Sequence, residues 1–208
     1  MAGLLANLRN TVIAGLVLAA LLVVLALKLQ GYDQTTFWMF FVRWCHVTSG
    51  VMWIGLLWYF NFVQIPTMPK VPDELKKGVS GYIAPAALFW FRWGAMGTIF
   101  FGIVLALRSN YLVDAYTLDL SQGLAGWPVV PKVLAIGIGM WLGTIMWFNV
   151  WFLIWPNQQK ALNIGGKYPS LSAEEKAAAG KAAMIFSRIN TLLSVPMLFS
   201  MVAAGHLY

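Results

Sequence analysis

The chain has 208 residues, of which 60% are hydrophobic and 10% charged, and it carries a net charge of +7. Soluble domains carry about 25% charged residues, so the composition excludes an ordinary soluble domain and predicts an integral membrane protein. The basic residues fall between apolar runs, where they report topology and not nucleic-acid binding.

Apolar runs fall at about residues 11–29, 36–65, 93–107, 133–155 and 183–207. Without water in the hydrocarbon, each has to be helical to satisfy its own backbone. The expected fold is therefore all-α: a single transmembrane domain over residues 1–208, with one N-terminal helix followed by a four-helix bundle. The first run is too long for a signal-peptide core and reads as a retained anchor. The third is short and borrows Phe89, Phe91 and the aliphatic stems of Arg92 and Arg108. Pro85, Pro128, Pro131 and Pro156 are expected at helix edges, where a missing N–H does little harm. Pro196 lies inside the last run and predicts a kink. The polar stretches 67–84 and 157–180 read as loops, and Ser172 with Glu175 three residues on spells a capping box.

A cytoplasmic N-terminus places ten basic residues inside (Arg9, Lys70, Lys76, Lys77, Arg92, Lys160, Lys167, Lys176, Lys181, Arg188) and four outside (Lys28, Arg43, Arg108, Lys132). Trp38, Trp44 and Trp127 then mark the outer interface, and Trp90, Trp93 and Trp155 the inner one.

The chain has two histidines, His46 and His206. Counting about 20 residues outward from Gln64 and from Arg188 brings both to a similar depth, just inside the outer interface. Intramembrane ionisable groups are functional candidates by default. Two imidazoles at one level can clamp a redox metal, and imidazole is an axial ligand for haem iron. Arg43, Gly50 and Trp53 lie at i−3, i+4 and i+7 from His46, on one helical face. That face supplies a cation for a propionate, room for a flat ring, and an aromatic edge. A histidine that only hydrogen-bonds a neighbouring helix is the bland reading. Copper is the rival, because Met197 and Met201 share the helix of His206 and thioethers suit Cu(I). Cys45, the single cysteine, points to another face and reads as filler; it excludes an internal disulfide, and no Cys-x-x-Cys-His motif offers covalent haem attachment.

Toward the other side lie Asn61, Gln64, Asn149, Asn157, Gln158, Arg188 and Asn190. Amides with one arginine could form a pocket for a planar polar anion or a quinone head group; interhelical hydrogen bonding is the equal alternative.

The stretches RWCHVTSGVMWIGLLWYFNFVQ, WFNVWFLIWPNQ and SRINTLLSVPMLFSM together resemble the membrane domain of PuuD-type urate hydroxylases, the urate oxidase N-terminal domain family, over about residues 35–206. HVTSGVMWIGLLWY is more distantly similar to the histidine-bearing helix of HemJ-type haem membrane proteins. The resemblance implies a helical oxidoreductase domain of a bacterial inner membrane, with haem b on His46 and His206, working with a c-type cytochrome. Longer family members carry that cytochrome as a C-terminal domain; in this chain, which stops at Tyr208, it would be a separate partner. Urate oxidation, another redox role or a haem-carrying subunit then remain open, and the amides with Arg188 are where a substrate would be sought. Copper delivery and a structural subunit of a respiratory assembly are the alternatives from other classes. A homo-oligomer, with each histidine from a different protomer, is compatible with the depth match.

Overall fold

The structure, a computed structural model, describes residues 5–31, 33–120, 123–124, 127 and 130–208. The chain divides into two compact units, residues 1–41 and 42–208. In chain order the helices are α1 (Leu8–Gln30), α2 (Gln34–Lys70), α3 (Asp73–Arg108), α4 (Leu112–Tyr116), α5 (Pro131–Leu162) and α6 (Ala173–His206). No strand occurs among the described residues, and the five helices other than α4 are long and apolar enough to cross a membrane.

In the first unit, the Asn7 side chain accepts hydrogen bonds from the backbone N–H groups of Arg9 and Asn10 and so caps α1. Gly31, at φ +80°, ends it. Most of its leucines and valines are exposed, Leu8 by 79% and Leu22 by 66%. A helix apolar on every face suits lipid, not an aqueous surface.

The second unit is a bundle of α2, α3, α5 and α6. Its core joins Trp53, Leu57, Phe91, Met146, Val150 and Ile154. Helix α6 packs along all of α5. Small residues let α3 press against α2: a Cβ on Gly94 would lie 3.1 Å from the Trp53 backbone nitrogen, and one on Gly97 2.7 Å from the Ser49 hydroxyl. Such close approach drives helix association where the hydrophobic effect cannot. Likewise, a Cβ on Gly137 would collide with the Ala115 carbonyl of α4.

Three of the expected boundaries move. Helix α2 runs on to Lys70, residues 73–84 are helical and extend α3, and α5 runs on to Leu162, so that Pro85 and Pro156 lie inside helices instead of at their edges. The reason is a local device used three times. Tyr59–Gln64, Val79–Ile83 and Asn149–Ile154 are π-helical turns, followed within two residues by Pro66, Pro85 and Pro156. Proline removes one N–H and crowds the carbonyl a turn earlier; the widened turn absorbs both, and the helix continues. Pro131 opens α5 as expected, and Pro128 lies outside the described residues. Helix α6 continues through Pro196, and Ser172 and Glu175 form the expected reciprocal capping box.

Replacing Gly94 with leucine should push α2 and α3 apart. A drop of several degrees in the thermal unfolding midpoint, followed by circular dichroism in detergent, is the expected outcome; an unchanged midpoint would mean that the two backbones are not held this closely.

Candidate functional site

A cleft of about 1150 Å³ opens in the second unit at the His206 end of the bundle. His46 from α2 and His206 from α6 both line it, and so do Arg43, Gly50 and Trp53. The five cofactor residues expected from the sequence thus share one cavity. Residues of all four bundle helices line it. The backbones of α2 and α6 meet at the Tyr59–Gln64 turn.

His46 is fixed by its neighbours. Its Nδ1 lies 2.8 Å from the backbone carbonyl oxygen of Thr98 in α3. A carbonyl can only accept, so Nδ1 carries the proton, and Nε2 of the neutral ring keeps its lone pair. A backbone carbonyl that orients an imidazole in this way is the usual second partner of a metal-bound histidine. Gly102 makes the seat: a Cβ there would lie 3.0 Å from Cε1 and 3.1 Å from Nδ1 of the ring. His206, the last residue of α6, is exposed and makes no hydrogen bond among the described residues.

Other glycines shape the cavity. Gly143 is buried in α5, yet a Cβ on it would meet nothing within 4 Å, and Gly55 and Gly205 are equally open on its other walls. Gly50 is in ordinary contact distance of Thr98. Arg43 and Lys132 supply positive charge to the lining. Near them, burial raises the pKa of the Tyr111 phenol above its ordinary value, and the Arg43 charge partly offsets this. Met197 and Met201 also line the cleft, with the Met201 sulfur packed where a Cβ on Gly139 would be only 3.3 Å away. Cys45 is half-buried and does not line it. Among the described residues, no group of three or more histidine, cysteine, aspartate or glutamate side chains could hold a metal ion.

No known protein family, curated protein or solved structure matches this chain.

The amides at the Gln64 end do not form one pocket. Asn149, 6% exposed, donates to the Asn190 carboxamide oxygen at 2.8 Å, and Asn190, fully buried, donates to the Met146 carbonyl at 2.9 Å. Asn61 donates to the Leu57 carbonyl and to the Ser187 hydroxyl. These three residues tie helices together, as polar groups in bundles do. Arg188 is exposed and makes no hydrogen bond with them. Gln64 is separate again and lines a small cavity.

The sequence reading missed Arg92 as a buried group. It is 9% exposed, with its guanidinium 3.1 Å from the ring centroid of Trp155 and 5.9 Å from that of Trp151. Its Nε and Nη1 have no hydrogen-bond partner. The signal lay in FWFRW on α3 facing WFLIW on α5, because tryptophans four apart on one face can receive a cation.

Asn190→Leu should lower unfolding stability by about 1–3 kcal/mol, since it strands the Asn149 amide and the Met146 carbonyl in the core. Denaturant unfolding followed by circular dichroism is the check; unchanged stability would mean that these amides do not tie α5 to α6.

Proposed function

We propose that this chain is a multi-pass membrane protein that holds haem b between His46 and His206, acting as an oxidoreductase or electron-transfer subunit toward a separate c-type cytochrome. The observation that carries this reading is the His46–Thr98 hydrogen bond, which leaves Nε2 unprotonated on a ring lining a cleft shared with the second histidine. The fit extends to size and shape. At about 1150 Å³ the cleft exceeds the usual 300–1000 Å³ range of small-molecule sites. The open space beyond Gly143, Gly55 and Gly205 suits a flat macrocycle.

His46 and His206 would hold the iron. Arg43 and Lys132 would meet the propionates, while the largely apolar lining would keep water from the ring. Haem supplies one-electron redox chemistry when bound. The chain's own part is to orient the imidazoles, neutralise the carboxylates and set a low dielectric. Resemblance to the urate-oxidising membrane domain makes urate the first substrate to assay with added cytochrome c. Five apolar helices support membrane insertion, and the bacterial inner membrane is the expected site. The basic residues support a cytoplasmic N-terminus, nine against four once buried Arg92 is set aside. On that orientation the cleft faces outward, where a cytochrome could approach.

Copper delivery is the second reading, because Met197 and Met201 line the same cleft. Metal analysis separates the two: iron at about one per chain with a porphyrin spectrum, or copper without one.

Protein purified from haem-replete cells should show a Soret band, and His46→Ala and His206→Ala should each remove most of it. A colourless wild-type preparation would overturn the reading. Gly143→Leu projects a side chain into the cleft. It should cut haem content several-fold while leaving the helical circular dichroism intact; full haem content in this variant would mean that the ring lies elsewhere.

A further inference from the structure

At the Gln64 end, α2, α3, α5 and α6 line a second cavity of about 230 Å³, which shares no lining residue with the cleft. Its walls are mostly apolar, with Phe60, Leu88 and Phe91 among them, and no charged residue lines it. Gln64 from α2 and Gln158 from α5 contribute one carboxamide each. Both carboxamide oxygens are buried without a partner. Leaving a buried polar group unsatisfied costs about 1–3 kcal/mol, so two in one small cavity point to a ligand that completes them.

Size, charge and polarity narrow that ligand. The volume lies below the usual 300–1000 Å³ range and admits about one ring. With no cation in the wall, an anionic purine is disfavoured and a neutral ring favoured. Amides from two different helices suit a ring with polar groups at two of its edges. Gln64 closes the apolar run 36–65, which puts it near the hydrocarbon boundary, a level that a lipid-soluble molecule reaches directly. A carboxamide also serves both redox forms of such a ring. Its NH2 donates to a carbonyl, and after half a turn about the terminal torsion its oxygen accepts from a hydroxyl. Two of the π-helical turns build the wall, Tyr59–Gln64 placing Phe60 and Gln64 and Val79–Ile83 placing Ser80. Such turns are frequent at functional sites.

We propose that this cavity binds the head group of a membrane quinone or its quinol, with Gln64 and Gln158 as its two hydrogen-bonding contacts. The site stands whether or not haem fills the cleft.

The test is calorimetric titration of decylubiquinone into the purified full chain in detergent. Wild type should bind it, and decylbenzene, which has the tail without ring oxygens, should bind at least tenfold more weakly. Gln64→Met and Gln158→Met keep side-chain length and remove the amide, and each should weaken decylubiquinone tenfold or more. His46→Ala should bind decylubiquinone like wild type even where its Soret band is gone, so the quinone site and the haem site fail separately. Absence of binding to wild type, equal binding of decylbenzene, or wild-type affinity in both methionine variants would overturn the proposal. So would tighter binding of urate than of decylubiquinone.

Discussion

In an apolar bundle an imidazole has to find a partner for its N–H, and His46 finds it in the Thr98 carbonyl across the α2–α3 interface. That bond depends on backbone proximity, which in turn depends on Gly94, Gly97 and Gly102, where side chains would strike Trp53, Ser49 and the imidazole itself. One stripe of small residues therefore fixes the helix pair, the ring position and the tautomer together. The same seam holds α2 to α3 at the level of the cleft, which both helices line. Open space beyond Gly143, Gly55 and Gly205 leaves a cleft there instead of a filled core.

The opposite end is closed by polar links. Trp58 donates to the Ser194 hydroxyl at 3.0 Å and Asn61 to that of Ser187 at 2.8 Å, tying α2 to α6 just where their backbones meet. Asn149 and Asn190 tie α5 to α6 through fully buried bonds. Each bond contributes about 1 kcal/mol or less in an apolar medium, so their main effect is to set register.

The length and apolar character of the runs made five membrane-length helices legible, and the capping box at Ser172 marked the start of α6. The cofactor face was also readable, because i−3, i+4 and i+7 spacing survives in an unbroken α-helix, and residues 34–58 are unbroken. Past the π-helical turns the same arithmetic fails. One extra residue per turn shifts the phase of everything downstream by roughly 100°. Asn61, Gln64, Asn149 and Gln158 all lie in or beyond such turns, which is why a set of amides that seemed to share one level divides into helix ties and a separate ring-sized cavity. Proline was read as a boundary because its usual effect is to end a helix; nothing local announces that a widened turn will absorb it.

Arg92 shows the same limit from the side of electrostatics. A guanidinium within a membrane-length helix would ordinarily snorkel to the headgroups, and a count of loop charges treats it that way. In this bundle it turns inward, because Trp151 lies inside the third π-helical turn and Trp155 directly follows it, and together they offer two aromatic faces to one cation. A desolvated cation–π contact contributes about 2 kcal/mol or more, against an effective cost of several kcal/mol for burying a charge with no anion. The balance is close only because part of the guanidinium stays reachable, and Arg92 is buried but not sealed. The turn that carries Asn149 into the α5–α6 tie thus also holds Arg92 of α3 against α5. One irregularity in a helix thereby joins three of the four bundle members at the level where the cleft ends.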